Sequence, residues 1–551
     1  MSAAKTSWKS FLPKARALDA AIARDDRAWL ADSLGRLPLR WAEHVRREHK
    51  RAGGLSSFAA NALVTEAVHV ANGRLSLGSS DDELMRAAEE AAGDAAGIAG
   101  VIAAAGLAAG RALLEQHCER WGVAPPPKSC IAGPAVARMC CKRWWVRRLR
   151  RALGRRCDGA AIGLGLVRRG LWLYASQDAV ERRQAQRRRN ARALENAVVE
   201  CEASGESLSL AEVVAGSIAN PEVKRAELMT RIKGCDAIAA ENGDACEFWT
   251  LTAPSEYHAM RIIGGVAVAN PSYSGKTPKE GQQYLSKVWA RARAAWKRRG
   301  LAVFGLRTAE PHHDGCPHWH LIAYGARRDL RFARRLLRVY AMRQNRDEPG
   351  AKEHRFKVLE ARAGTKGAAY AAKYVSKNID GKGLEGDIDQ EGQKKVSNSV
   401  RRVDAWAATW GIRQFQFFGC PSISGWRVLR RMRGPVAVVG SQLERARAAA
   451  DDSDFASYWR AAVAGGLSLI YRAADRLTAY GDAAAARIAG ICEGARRAML
   501  PDKVWAIKWK AAEAGAGFGV PRSCVNNCTG VEKSAFADSG GAGVVDREKS
   551  A

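Results

Sequence analysis

Two short stretches hold the residues whose types and spacing could do chemistry. The first is Glu310-Pro-His-His-Asp-Gly-Cys-Pro-His-Trp-His-Leu-Ile-Ala-Tyr324. If residues 318–324 form a strand, alternate side chains share a face. His318 and His320 then point one way, and Trp319 and Leu321 the other. A turn at Asp314-Gly315 folds a preceding strand, residues 302–309, back against it and sets Glu310 roughly opposite His318. Two imidazoles and one carboxylate on one side of a ribbon make three ligands for a metal ion, with positions left open for water or substrate. His312, His313 and Asp314 are alternatives for the third ligand, because turn residues can reach inward. Glu310 is favoured because it ends a strand opposite His318. A histidine pair alone is more often a polar feature of a half-exposed strand than a metal site.

The second stretch is Gly364-Thr-Lys-Gly-Ala-Ala-Tyr-Ala-Ala-Lys-Tyr-Val-Ser-Lys-Asn-Ile-Asp-Gly381. Its alanines favour a helix, with Gly381 where that helix would end. Tyr370 and Tyr374, four apart, share one helix face, and Lys373 and Lys377 flank them. Alone, such tyrosines are more often amphipathic core anchors. Beside a metal-ligating set they become two equivalent nucleophiles, and the two stretches complete one chemistry.

His318-Trp319-His320 resembles the His-hydrophobic-His signature of HUH endonucleases. Tyr370-Ala-Ala-Lys-Tyr374 resembles the two-tyrosine motif of their rolling-circle replication initiators. The order, histidines before tyrosines, fits initiators rather than conjugative relaxases. Further matches point to the phage replication gene A protein family: Phe248-Trp-Thr-Leu-Thr-Ala-Pro-Ser255, Asn270-Pro-Ser-Tyr273, Glu310-Pro-His-His313 and Ile412-Arg-Gln-Phe-Gln416. The resemblance covers roughly residues 200–430 and says little about either terminus. It implies a ferredoxin- or RRM-like core and a site-specific nickase that initiates phage rolling-circle replication. A divalent ion, Mg2+ or Mn2+, held by His318, His320 and Glu310 would polarise a phosphodiester oxygen. Tyr370 or Tyr374 would attack, with Lys373 and Lys377 favouring the phenolate, leaving a 5′-phosphotyrosine and a free 3′-hydroxyl primer. The second tyrosine would cut the regenerated origin. Two other readings stand beside this one: a transposase or plasmid initiator of the same catalytic class, and a non-catalytic basic DNA-binding protein with structural zinc.

The bulk properties agree with a nucleic-acid partner. The chain has 551 residues, enough for two to four domains, with 88 Lys and Arg against 57 acidic residues and a formal charge of +31. Hydrophobic residues make up 47%, which excludes a disordered protein. Thirteen irregularly spaced cysteines, and no apolar leader in Met1–Trp8, point to free thiols in a reducing cytoplasm, for this family that of a bacterial host. The apolar run at residues 95–109 is short and alanine-rich, so it reads as a packed helix and no membrane partner is expected. Ser274-Gly-Lys-Thr277 lacks the first glycine of a phosphate-binding loop, and Gly163-Leu-Gly165 lacks the third of a dinucleotide fingerprint. No nucleotide cofactor is expected. Unwinding and synthesis would fall to a host helicase and a DNA polymerase acting with single-stranded or locally melted origin DNA.

Stepping outward from the two stretches, four regions emerge, and the fold class is α+β. Residues 1–124 read as a helical region of unassigned role, with Asp81-Asp-Glu83 at a helix start and Pro125-Pro-Pro127 as the break after it. Residues 125–240 read as a basic helical region. There Arg147 and Arg148 lie beside Trp144 and Trp145, and Arg187 and Arg188 lie in a helix over residues 178–201. These four arginines and Lys377 are the candidate DNA contacts. Trp144 and Trp145 either stack on bases or pack inward. A zinc site from Cys130, Cys140, Cys141 and Cys157 matches no familiar spacing. Residues 245–435 would form the HUH catalytic domain, an antiparallel sheet with flanking helices, with a basic helix over 330–345 and a mobile loop over 380–398. Residues 436–551 read as alanine-rich helix with a disordered tail, in which Cys524 and Cys528 have no histidine partners nearby.

Overall fold

The computed structural model describes residues 26–53, 61, 64–65, 67–68, 74–102, 107–361, 367–381, 388–389, 394–432, 434–474, 476–501 and 503–510. Met1–Trp8, Gly364, Cys524, Cys528 and the C-terminal tail lie outside them. The fold is mixed helix and sheet, built outward from the pairing of the Glu310 strand with the histidine strand. Five strands form the central sheet: β1 (Ala245–Thr252), β2 (Phe304–Pro311), β3 (Pro317–Gly325), β4 (Phe356–Glu360) and β5 (Phe415–Phe418). Their order is β5-β2-β3-β1-β4, and every neighbouring pair is antiparallel. The β2–β3 register sets Glu310 opposite His318 and Thr308 opposite His320, while β1 brings Thr250 opposite His320 from the other side.

Seven helices matter for the site: α1 (Lys142–Gly163), α2 (Gln177–Glu195), α3 (Pro221–Glu241), α4 (Pro278–Arg298), α5 (Arg327–Ala341), α6 (Gly367–Ile379) and α7 (Val396–Trp410). One sheet face presents Trp249, Leu251, Trp319 and Leu321 to the apolar sides of α4 and α5. α4 starts on a capping box between Thr277 and Glu280 with Pro278 in its first turn, a strong local start signal. Trp296 Nε1 donates to the Ala333 carbonyl at 3.1 Å and ties α4 to α5. The other face presents Phe248, Ile322 and Tyr324 to α3 and α6. Both faces of β3 are therefore covered, so its sequence is apolar except where the histidines fall.

The start of α6 is held by one carboxylate. Asp236 of α3 accepts the Gly367 and Ala368 backbone N–H groups at 2.8 and 2.9 Å and the Tyr324 hydroxyl at 2.8 Å. It satisfies donors that a helix N-terminus leaves open and opposes the positive end of the helix dipole. Gly367 is needed there, because a Cβ would lie 2.0 Å from the Tyr324 hydroxyl.

The described residues of the N-terminal third are mainly helical, and the Asp81–Ile102 helix begins with Ser80 and Glu83 bonded reciprocally. Among the described residues no helix is long and apolar enough to cross a membrane. Two sequence expectations are corrected. The basic helix α2 ends at Glu195, and Ala197–Cys201 is a strand pairing with Trp505–Trp509 far along the chain. The region after residue 440 is not wholly helical. After helices Gln442–Asp451 and Phe455–Ala464, strands Ser468–Arg472, Arg487–Glu493 and Arg496–Met499 form a small antiparallel sheet. Alanine-rich composition suggested helix, but segments carrying Ile470, Ile488 and Ile491 pair into ladders with neighbouring segments instead. Residues 380–398, expected as a mobile loop, include the paired segments Ile388–Asp389 and Lys394–Lys395 and the first residues of α7.

Asp236→Ala removes the N-terminal bonds of the tyrosine helix and the Tyr324 partner together. Urea unfolding is expected to show a loss of about 1–3 kcal/mol, with faster amide exchange in the first turn of α6 than in β3.

Candidate active site

Glu310 ends β2, and His318 and His320 begin β3, all three facing α6. One oxygen of Glu310 and one ring nitrogen of each histidine lie within 4.8 Å of one another, the one such group of three potential ligands among the described residues. The two Nε2 atoms are 2.8 Å apart, and His320 Nε2 is 4.0 Å from Glu310 Oε2. Two imidazole nitrogens that close must share a proton or a cation, because bare lone pairs repel. Burial, reinforced by His312, His320 and Lys377, holds His318 well below the usual histidine pKa, so it is neutral and able to act as a ligand at ordinary pH. Thr250 Oγ1 lies 3.2 Å from His320 Nδ1 and fixes that ring. Two imidazoles and a carboxylate, with no fourth protein ligand among the described residues, fit an open divalent-cation site rather than a closed structural one.

α6 brings the phenols to this set. The Tyr374 ring packs 4.5 Å from the His320 ring, the Tyr370 and Tyr374 hydroxyls are 2.9 Å apart, and Tyr370 stacks on Phe248 at 3.8 Å. Both phenols are only partly buried. Burial raises both pKa values, and the nearby Glu310 carboxylate adds to this, so both phenols are protonated in the free protein. Lys373 lies between them on α6, with its side chain outside the described residues.

One residue that sequence reasoning did not single out joins the two halves. Asn378, one turn beyond Tyr374, donates its buried amide to Glu310 Oε1 and to the Tyr374 carbonyl, the latter at 2.7 Å. Gln414 donates to the Asn378 side-chain oxygen at 2.9 Å. The only local signal was the four-residue spacing from Tyr374; Thr250 and Gln414 lie in stretches that carry the family resemblance. Of the alternative third ligands, Asp314 instead accepts from His258 Nδ1 at 3.1 Å and from the Cys316 N–H at 3.1 Å, while His312 packs on His318 with ring centroids 3.9 Å apart. Burial would raise the Asp314 pKa, but His258 and the neighbouring His313 and His312 hold it well below the usual carboxylate range. Burial would likewise lower His258, but the Cys316 sulfur and Asp314 raise it well above the usual histidine value.

The candidate DNA contacts scatter. Lys377 lies inside the site, 3.6 Å from Glu310 Oε2 and above the Tyr174 ring. Arg187 pairs with Asp404 at 3.0 Å, and Arg188 is exposed. Arg147 donates to the Tyr480 hydroxyl, and Arg148 lies over Trp144. Trp144 and Trp145 are buried and so pack inward rather than stacking on bases. Cys130, Cys140, Cys141 and Cys157 contact Asp482, the Ala95 carbonyl, Tyr480 and the Leu77 carbonyl respectively, so they do not converge.

Residues 117–382 match the bacteriophage replication gene A protein (GPA) family, and this span contains the ligand set and both tyrosines. The chain belongs to that family. It is 35% identical to the replication gene A protein of Escherichia phage P2 over 421 residues, covering 72% of this chain and 55% of the relative. Against the replication gene A protein of Escherichia phage 186 the identity is 38% over 424 residues, covering 72% and 60%. A probable replication endonuclease from a prophage-like region of Salmonella typhi is 34% identical over 448 residues, covering 74% and 54%. The chain thus spans little more than half the length of these family members. No solved structure matches it.

The His258–Asp314 pair predicts a pH window. Asp314 contributes stability that is present above the unfolded carboxylate pKa of about 4 and is lost on acidification. His258 contributes stability that is full below the unfolded imidazole pKa of about 6.5 and is lost as pH rises through its higher folded value. The destabilisation caused by Asp314→Asn, about 1–3 kcal/mol, is expected to be largest between those limits. Chemical denaturation of both proteins across pH checks this.

Proposed function

We propose that this protein is a site-specific single-strand DNA endonuclease of the HUH type, which nicks an origin to start phage rolling-circle replication. The observation that carries the reading is the Tyr374 ring packed against His320 of an open ligand set, with the Tyr370 hydroxyl hydrogen-bonded to that of Tyr374. The relatives' names, replication gene A protein and probable replication endonuclease, support the same chemistry.

Glu310, His318 and His320 would hold Mg2+ or Mn2+, which when bound supplies Lewis-acid polarisation of a non-bridging phosphate oxygen. The remaining steps belong to the protein's own groups. Asn378 fixes Glu310 relative to the tyrosine helix, and Thr250 orients His320. Lys377, a half-buried cation beside Glu310, favours an anionic phosphate entering the site. One phenol gives up its proton to solvent, and its oxygen bonds to phosphorus. The bond from phosphorus to the 3′ oxygen breaks, and that oxygen takes a proton. A 5′-phosphotyrosine and a primer hydroxyl result. Because the bond energy is retained in the adduct, the second tyrosine can cut the next origin copy and the strands can be rejoined. Host helicase and polymerase would supply unwinding and synthesis.

Mixing the protein with labelled single-stranded origin DNA and Mn2+ should give a denaturant-resistant adduct. Tyr370→Phe/Tyr374→Phe should give none, whereas each single variant should retain one cleavage. An adduct from the double variant would sink the assignment. Glu310→Gln should lose roughly a hundredfold or more of metal-dependent cleavage, with His312→Ala and His313→Ala still active.

A further inference from the structure

The sheet face opposite the tyrosines is covered by α4 and α5, and their outward sides are basic. Together these helices carry twelve Lys and Arg against two acids, Glu280 and Asp329. Both acids are already engaged, Glu280 in the cap of α4 and Asp329 by the Ala302 N–H at 2.9 Å. The cations divide by direction. Arg334 turns inward to Glu247 and Glu360 at 3.0 and 2.6 Å, and Arg338 donates to the Phe356 carbonyl at 3.1 Å. Lys287, Arg291 and Arg293 on α4 and Arg328, Arg331 and Arg335 on α5 are exposed, and none forms an ion pair among the described residues. Lys287 and Arg291, and Arg331 and Arg335, are like charges four apart, a spacing that weakens a helix by a few tenths of a kcal/mol per pair. The fold uses its inward arginines; the outward ones cost it stability.

We propose that this helical layer is a docking surface for the phosphate backbone of duplex DNA, separate from the cleft that cuts the single strand. The inference rests on the reading above only in taking DNA as the partner. Charge complementarity identifies a polyanion, because an unpaired row of guanidinium and ammonium groups gains by releasing condensed counterions from a duplex. The shortage of aromatics selects duplex over single strand. Single-strand surfaces interleave cations with several exposed rings on which bases stack. The large apolar side chains exposed on α5 are only Phe332 and Val339, and α4 exposes none. A surface of this kind holds DNA by its backbone and without sequence preference. The enzyme would then hold unmelted DNA on one side of the sheet while its nucleophiles work on the other.

The test uses the full chain and labelled duplex and single-stranded DNA of the same arbitrary sequence, with binding read by anisotropy across a salt series. The variant is Arg328→Gln/Arg331→Gln/Arg335→Gln, which keeps helix propensity and leaves the core untouched. Expected are a roughly tenfold or greater loss of duplex affinity and a salt slope shallower by about 3, with single-strand affinity and single-strand cleavage unchanged. A control of equal charge, Arg46→Gln/Arg47→Gln/Lys50→Gln on the exposed side of the Leu39–Gly53 helix, should leave the slope near that of the parent. Unchanged duplex binding in the α5 variant overturns the proposal. So does an equal loss for single-stranded DNA, or an equal effect from the control. Duplex binding by the Tyr370→Phe/Tyr374→Phe protein is expected to persist, so failure of the nickase reading and failure of this one give different results.

Discussion

The site depends on one buried negative charge. Glu310 is only 2% exposed, and a carboxylate that deep is tolerable only if it is ionically paired or fully hydrogen-bonded. The structure supplies partners from three directions: the histidines opposite it in the sheet, Lys377 of the tyrosine helix, and the Asn378 amide. Satisfying that carboxylate therefore forces α6 onto the end of the β2–β3 hairpin in one register. The same contacts that neutralise Glu310 bring the phenols beside the imidazoles.

The central sheet keeps positioning and chemistry on separate faces. The tryptophan-rich face against α4 and α5 is a large apolar core, and it sets where β2 and β3 lie. Trp319 shows how closely the faces are tied: it lies between His318 and His320, so burying its ring turns both imidazoles to the opposite side. Arg307 stacks on that ring at 3.7 Å. The face of α6 is more polar, and its fixed points are single hydrogen-bonded groups such as Asp236 and Asn378. A sheet with one side dedicated to packing can hold its other side rigid at positions that packing alone would not select.

The protonated phenols fit this division. Burial near Glu310 keeps Tyr370 and Tyr374 uncharged until something lowers the cost of the phenolate. On the nickase reading proposed above, that would discourage attack in the free protein and make activity conditional on what enters the site.

Much of this was legible in the chain. Period-two alternation put His318 and His320 on one face, the turn residues at Asp314-Gly315 set the register with Glu310, and four-residue spacing put Tyr370 and Tyr374 together, because each rule is local and steric. Locality also explains what stayed hidden. The strand at Ala197–Cys201 exists through a partner far along the chain, and the small sheet after Ser468 was masked by the alanine-rich composition around it. Asn378, Thr250, Gln414 and the Asp236 cap act on groups tens to more than a hundred residues away, so spacing announces none of those contacts beyond the four-residue step from Tyr374 to Asn378. Lys377 was readable as a cation near the tyrosines but not as the neighbour of Glu310. The sequence alone determined which residues share a face, since backbone geometry repeats every two or 3.6 residues. Only the tertiary structure decided which faces meet, since that is set by long-range burial and by the need to neutralise one hidden carboxylate.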